Sequence, residues 1–467
     1  MVVGEESMNG LFVNREFDIY PLVFPICTEV EFTVKNLGTR KKLSGEYTVY
    51  VSRLDSGSPA EEFYKGNKRE FKCVSDKENK IKFSFKEAEE GELLVRVFKD
   101  GQKIAQVSVY ALGDDLAKTI PLRGDFHVHT TCSDGNENPE FVCANYRKKG
   151  YDFIVITDHD RYFPSLFAIE KFKGINSALN VLPGEEVHLP GNPVHIVNAG
   201  GLFSINGLLP IKENYTESNG ELSMRRFDSS VNPPNVYSME EYWKEIEEIE
   251  SSLIKKEGAG LEKEIDLKSY AVCLWICDKI KKANGLAIFA HPYWLWDMWQ
   301  IPEKFTRFVL QKGEFDAFEV LGGENYYSQN GFQTALYYDE YRYGRVHPIV
   351  GSTDSHGSTP KNRNWDICST VVFAKSNKRE DILNAVKQKL SVAVDTISKE
   401  YRLVGEFRYI KYASFLMENY FPIHDRQAFL DGEILFDYFC GNATKEDVEF
   451  ASKRAERLIK KYFVVKK

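Results

Sequence analysis

Along the first quarter of the chain, apolar and polar residues alternate. In TEVEFTVKN, GEYTVYVSRL, NKIKFSFKE, GELLVRVFKDG and QKIAQVSVYAL the β-branched and aromatic residues alternate or cluster, and Gly, Asn, Asp and Ser punctuate the runs. A period of two puts one set of side chains on each face of a strand, so residues 10 to 111 predict short strands at hairpin spacing. The pattern reads as an all-β, sandwich-like domain over residues 1–115.

After GDDLAKTIPL the rhythm changes to strands alternating with helices. Seven strand candidates follow: DFHVHT, YDFIVITDHD, ALNVLPGEEVH, VHIVNAG, GLAIFAHP, FDAFEVLGG and HPIVGSTDSHG. The YDFIVITDHD run is apolar until it ends in charge, as a parallel strand buried on both faces is. Between the first two, NPEFVCANYRKKG places Pro139 in a helix's first turn and Gly150 at its end. This predicts an α/β barrel in two parts, residues 122–200 and 271–395. Residues 201–270 interrupt it: NYTESNGELSMRRFDSSVNPPN predicts an irregular loop, and SMEEYWKEIEEIESSLIKK a helix with Ser238 as cap and Glu241 three residues on. We expect an insertion here, as a lid would be. Residues 396–467, with YASFLMENYF and KEDVEFASKRAERLIKKYF, predict a helical C-terminal extension.

Composition narrows the class. Hydrophobic residues at 43% and charged ones at 28% describe an ordinary folded protein. A net charge of −8 argues against coating nucleic acid, whose phosphates are held by Lys and Arg. The basic stretch KRAERLIKKYFVVKK reads as a solvated helix face. The first residues lack a basic segment followed by an apolar run, and no stretch approaches the ~18 apolar residues of a membrane span. We therefore expect a cytoplasmic protein with no membrane partner. Eight scattered cysteines form no CxxC pair and predict free, mostly buried thiols.

The chemistry lies in where polar residues end the strands. His127, His129, His159, Glu186, His195, His291, Asp354 and His356 fall at or just beyond the C-terminal ends of the apolar runs, and in a parallel barrel those ends converge on one face. His127 and His129, at i and i+2, would point the same way about 7 Å apart. Taken singly, TDHD and STDSHG fit turns, and AHPYW fits a histidine satisfied before a proline. Together they predict a shared metal site. Imidazoles mixed with carboxylates, without thiolate, suit Zn, Mn or Fe, and so many donors exceed one ion's needs, so two to three divalent ions are expected.

The ordered set DFHVHTTCSDG, ITDHD, PGEEVH, VHIVN, FAHP and GSTDSHG resembles the PHP family, named for polymerase and histidinol phosphatase, over roughly residues 122 to 395. The resemblance implies a distorted seven-stranded β/α barrel with a trinuclear site that hydrolyses phosphate esters. It implies a first ion on His127, His129, Glu186 and Asp354, a second on His195 and His291 with Glu186 bridging, and a third on Asp134, His159 and His356. At the position of Asp134 many relatives carry a histidine. Glu185 competes with Glu186, and the family's Gly-x-Glu spacing from Gly184 selects Glu186; His188 competes with His195, which ends the next strand-like segment. His347 and His424 match nothing in the family pattern and read as structural.

Around this set, Asp158 is expected to orient a ligand or handle protons, and Glu319, ending DAFEV, to do likewise. Arg161, Lys361 and Arg363 follow strand-end motifs and could approach a phosphate. Tyr293, Trp294, Trp296 and Trp299 stand beside His291 and could stack on a base or sugar, or pack the insertion. The expected function is hydrolysis of a small phosphate monoester by attack of a metal-bridging hydroxide on phosphorus. A phosphodiesterase or exonuclease acting on nucleotides or nucleic acid comes second. A non-catalytic binding or scaffold protein that retains a metal site comes third. Nothing in the sequence sets an oligomeric state.

Overall fold

The computed structural model describes residues 16–37, 43–55, 68–209, 235–257, 261, 265–295, 297–323, 327–359, 367–396 and 402–466. Trp296, Lys361, Arg363 and most of the loop expected at 214–235 lie outside them. The chain forms two compact units. One comprises the residues up to Ile120 with Phe407–Gln427 and Lys453–Lys467, the other Pro121–Glu406 with Ala428–Ser452.

The strands of the first unit are β1 (Phe17–Tyr20), β2 (Val23–Pro25), β3 (Glu29–Asn36), β4 (Glu46–Arg53), β5 (Lys68–Val74), β6 (Lys80–Lys86), β7 (Gly91–Lys99) and β8 (Gln102–Leu112). They make a three-stranded sheet ordered β1-β3-β6 and a five-stranded sheet ordered β2-β8-β7-β4-β5. All five alternating runs of the sequence are strands here. The alternation puts Phe83 and Phe85 of β6 on one face, where Phe85 stacks on Phe32 of β3 at 4.6 Å and Phe24 of β2 meets Phe32 edge-on at 5.0 Å. Tyr47 and Phe83 are buried, whereas Tyr50 is half-buried with Lys68 over its ring at 4.5 Å. The helix Phe407–Asn419 belongs to this unit because Tyr412 and Phe415 pack on Tyr110, at 5.1 and 5.3 Å, and Arg408 pairs with Glu90 and Asp115.

The second unit contains β9 (Ile120–Asp125), β10 (Phe153–Val155), β11 (Asn180–Leu182), β12 (Gly184–Val187), β13 (Ile196–Ala199), β14 (Leu286–Phe289), β15 (Ala317–Leu321), β16 (Ile349–Gly351), β17 (Cys368–Ala374), β18 (Ser391–Asp395) and β19 (Arg402–Val404). These form a six-stranded sheet ordered β11-β10-β9-β17-β18-β19 and a five-stranded sheet ordered β12-β13-β14-β15-β16. The strands therefore do not form one ring of seven parallel members. β13 runs antiparallel to both neighbours, and β17 to β19 pair antiparallel. The expected single strand in ALNVLPGEEVH breaks at Pro183, and its two halves pair in different sheets, β11 with β10 and β12 with β13. Gly184 is needed at that crossing, since a Cβ there would stand 2.4 Å from Val155 Cγ1.

Helices follow most of these strands. Pro139–Lys148 has its proline in the first turn, and Gly150 ends it at φ +90°. The insertion helix Met239–Glu257 carries the expected capping box: Ser238 N donates to Glu241 Oε2 at 2.8 Å and Glu241 N to Ser238 Oγ at 3.2 Å. Its Tyr242 and Ile246 are fully buried, with Tyr242 edge-on to Trp275 at 5.1 Å, so this part of the insertion is anchored in the core. The stretch expected as one C-terminal extension is divided, because Arg147 binds Asp431 at 2.9 Å and Phe141 packs on Phe436 at 5.1 Å within the second unit. All eight cysteines are free and six are buried. Among the described residues no helix is long and apolar enough to cross a membrane.

Candidate metal centre

Backbone hydrogen bonds beyond the named strands bring the polar motifs together. His129 N donates to Ser355 O and Asp354 N to His127 O, both at 2.9 Å, so HVH lies alongside TDSH, with Val128 bridged to Ser355. A second bridge joins His159 to Glu186, and Ala290 N donates to His195 O at 3.1 Å, setting His195 beside the strand end that carries His291. Asp125 ties two of these ends: its carboxylate accepts from His127 N at 3.0 Å and from Thr353 N at 3.1 Å. Burial pushes the Asp125 carboxyl up to about 7, against the hydrogen bonds it accepts.

Two residues of these strand ends adopt the left-handed backbone region, Asp354 at φ +50° and His291 at φ +21°. Neither is glycine, so packing and the ladder must hold them there. His195 corrects an expectation. It precedes β13 rather than ending a strand, and reaches the same edge only because β13 runs antiparallel between β12 and β14. His188 is the residue that follows the C-terminal end of β12.

The structure gathers His127, His129, Asp134, His159, Glu186, His195, His291, Asp354 and His356 into one cluster, with His188 among them. Four overlapping groups have ligand atoms within 4.8 Å of one another: His129, Asp134, His159 and His356; His127, Glu186 and His291; His127, His129 and Asp354; and His159, Glu186 and His188. His195 Nδ1 stands 2.7 Å from Glu186 Oε1. His129 turns Nε2 to Asp354 Oδ1, at 2.8 Å, and Nδ1 toward Asp134 Oδ1, at 4.0 Å. His159 likewise faces two groups, with Nε2 3.4 Å from Asp134 and Nδ1 2.5 Å from Glu186 and 3.0 Å from His188.

Cations fit this donor set. His127 Nε2, His129 Nδ1, both oxygens of Glu186 and both ring nitrogens of His291 are buried without a hydrogen bond of acceptable geometry. Yet His127 Nε2 lies 3.3 Å from Asp354 and 3.5 Å from Glu186, and His291 Nε2 3.6 Å from Asp354. Buried polar atoms left unpaired cost free energy, and a cation among converging lone pairs removes that cost. Burial works against the charge on Glu186, but His195, His159, His188 and His127 around it hold its carboxyl well below the usual range. Burial pushes His129 down to about 3 and His291 to about 4, so both rings are neutral donors at physiological pH. His127 is raised well above its ordinary value because Asp354 and Glu186 outweigh burial.

The surrounding residues hold these donors in place. Glu319 Oε2 meets His127 Nδ1 at 3.1 Å, orienting the ring so that Nε2 faces the cluster; burial pushes the Glu319 carboxyl up to about 7. His356 Nδ1 donates to Asp354 O at 2.9 Å and leaves Nε2 3.2 Å from Asp134. Asp158 has both oxygens occupied, by Thr130 N at 2.9 Å, Thr130 Oγ1 at 2.8 Å and Ser133 Oγ at 2.6 Å. Through them it positions the loop that carries Asp134. Arg161 continues the same turn, its amide donating to Asp158 O at 3.3 Å, with Nε and Nη1 buried.

Strand alternation separates the two adjacent glutamates. Glu185 is enclosed by Asn198, Ser204, Ile205 and Asn206, all donating to it, whereas Glu186 faces the imidazoles. His424 bonds Asp425 at 2.9 Å and, with His347, stands outside the donor groups. Sequence reasoning missed Asp125, whose place before FHVH looks like any turn aspartate. It missed Thr130 and Ser133 as well, for which only their closeness to HVH was a signal.

No family model and no curated protein matches the chain. Solved structures do. One is a two-domain protein from Bacteroides vulgatus containing a predicted PHP-like metal-dependent phosphoesterase, 17% identical over 59% of this chain, with a TM-score of 0.37. The chain spans 65% of that protein's length. A second, also described as a metal-dependent phosphoesterase by prediction, comes from Bifidobacterium adolescentis; it is 20% identical, covers 51% of this chain and 89% of its own, and has a TM-score of 0.30. An amidohydrolase from Chromobacterium violaceum with bound sulfate is 17% identical over 50% of this chain and 87% of its own, with a TM-score of 0.28.

Proposed function

We propose that this protein is a PHP-type metal-dependent phosphoesterase that hydrolyses a small phosphate monoester at a cluster of two or three divalent cations. The observation that carries the reading is the convergence of imidazole and carboxylate atoms within 4.8 Å in overlapping groups, several of them buried and unpaired. His127, His129, Glu186 and Asp354 would hold one cation, His195 and His291 a second shared through Glu186, and Asp134, His159 and His356 a third. Zn, Mn or Fe suits this nitrogen and oxygen set. Bound there, such cations lower the pKa of water and neutralise the charge that gathers on phosphoryl oxygens.

The chain's own residues orient this centre. Glu319 aims His127, Asp158 fixes the loop of Asp134, and Asp125 joins the strand ends of His127 and Asp354. The nearby hydroxyls of Thr130 and Ser133 donate to Asp158, and the reading takes water, not a side chain, as the acceptor of the phosphoryl group. Arg161 would approach a phosphate oxygen from the turn after Asp158. The first unit, with phenylalanines of two sheets meeting in one cluster, we read as a β-sandwich.

The test is phosphate release from a chromogenic monoester and its matching diester, with protein stripped of metal and reloaded with manganese, zinc or iron. Metal-dependent monoester turnover is expected. Diester turnover alone would replace the monoesterase by a phosphodiesterase, and silence on both with fully loaded protein would sink the enzymatic reading.

A further inference from the structure

The donor cluster has a closed side and an open side. His127, His129, Glu186 and His291 are 0–2% exposed, whereas the side chains of Asp134, His356, His188, His159 and His195 are 54, 36, 29, 28 and 24% exposed. A substrate must therefore arrive over the second set. These residues form a row. Asp134 Oδ2 lies 3.2 Å from His356 and 3.4 Å from His159, His159 lies 3.0 Å from His188, and the His188 and His195 rings are 4.6 Å apart.

Trp294 extends that row at the His195 end. Its ring centre is 6.5 Å from that of His195, with planes 29° apart, and 6.4 Å from that of His291. The side chain is half-buried, and the backbone holds it: Trp294 N donates to His291 O and Gln300 N to Trp294 O, both at 2.9 Å, while Leu295 is bridged to Trp299. Two other aromatics of this loop, Tyr293 and Trp299, pack on Phe332 of the helix Tyr327–Arg342. Tyr293, Trp299 and Phe332 meet edge to face at 5.2, 5.6 and 5.6 Å and form a packing cluster of their own.

We infer that Trp294 is a specificity-determining residue, whose indole takes the flat aromatic part of a phosphate ester while the phosphate lies on the donor row. The position of the phosphate rests on the phosphoesterase reading. The indole lies at a low angle to His195 and borders the side open to solvent, so a planar ring can stack beside the metal ligands without entering the closed floor. A nucleobase offers such a ring, and an aliphatic phosphate such as glycerol phosphate does not.

The experiment compares metal-reloaded wild type, W294L and W294F for calorimetric binding and for turnover of adenosine 5′-monophosphate and glycerol phosphate, with metal content measured for each protein. Wild type is expected to bind the adenosine ester about tenfold or more tighter than glycerol phosphate, W294L to lose that margin, and W294F to keep most of it. Unchanged metal content with a lost margin separates a platform from a residue that merely props His195. A wild type without preference, or W294L losing both phosphates equally, would overturn the inference. Ring-dependent binding without hydrolysis would keep it and sink the phosphoesterase reading; hydrolysis of both esters regardless of residue 294 would do the reverse.

Discussion

Two stretches of this chain carry the same local pattern and come to opposite ends. In β6, Phe83 and Phe85 sit at i and i+2 with rings 6.1 Å apart and nearly parallel; past β9, His127 and His129 sit at i and i+2 with rings 5.1 Å apart. Both pairs are buried, the phenylalanines within β6 and the histidines on either side of Val128, which is bridged to Ser355. The phenylalanines are satisfied by burial, since Phe32, Phe24 and Phe71 surround them and their own side chains carry no polar atom. The histidines are not. His127 Nε2, His129 Nδ1 and both oxygens of Glu186 enter the interior without a hydrogen bond, which costs free energy unless something else completes them. The same spacing thus yields a packing core in one unit and a candidate metal centre in the other, and the difference is the unpaired polar atoms.

The largest effect that would break this contrast is on the histidine side. His291→Ala or Asp354→Ala should lower metal-dependent turnover about a thousandfold or more while leaving the circular dichroism spectrum unchanged. Full activity in either variant would remove the residue from the site. On the phenylalanine side, Phe85→Ala should cost about 3–5 kcal/mol in denaturant unfolding, as a buried ring replaced by a cavity does, without a cation changing the loss. A loss that added metal restores would mean that the two clusters are not independent.

A smaller effect sharpens the role of the supporting carboxylate. Glu319→Gln keeps the shape but not the charge opposite His127 Nδ1, and should weaken metal affinity or activity about 10–100-fold. Calorimetric titration with zinc checks it, and unaltered affinity would reduce Glu319 to packing. The smallest effect is on pH. His127, held protonated by Asp354 and Glu186, must lose its proton to accept a cation, whereas His129 and His291, at about 3 and about 4, are already neutral. Affinity at this site should therefore fall about tenfold for each pH unit of acidification below the His127 pKa, with about one proton released per cation bound. Competition with a chelator across about pH 6 to 8 reads the slope, and a flat profile would count against His127 as a ligand.

Much of this was legible along the chain because period-two patterning and strand-end polarity are local properties. The five alternating runs became β3, β4, β6, β7 and β8, and the capping box at Ser238 formed as its spacing implied. The strands β17 and β18 escaped notice although CSTVVFA and SVAVD are dense in β-branched residues, because attention to strand ends bearing histidine passes over strands that end in none. Asp158 reads along the chain as a group that orients a ligand or handles protons, because a charge ending an apolar strand suggests chemistry. Three donors from Thr130 and Ser133 make it a brace.

By itself the sequence determined which residue types end which strands, and so that imidazoles and carboxylates, without thiolates, would gather at strand ends. Tertiary structure alone decided the rest. The break at Pro183 sends β11 and β12 into different sheets, and the reversed direction of β13 brings His195 to the ligand edge from its N-terminal end. The facing of adjacent residues to opposite sides buries Glu185 among amides and turns Glu186 to the histidines. The physical reason is that patterning is written in side chains a few residues apart, whereas strand partner and direction are set by contacts between segments far apart in the chain, where burial and hydrogen-bond satisfaction of the whole molecule choose among arrangements that are locally alike.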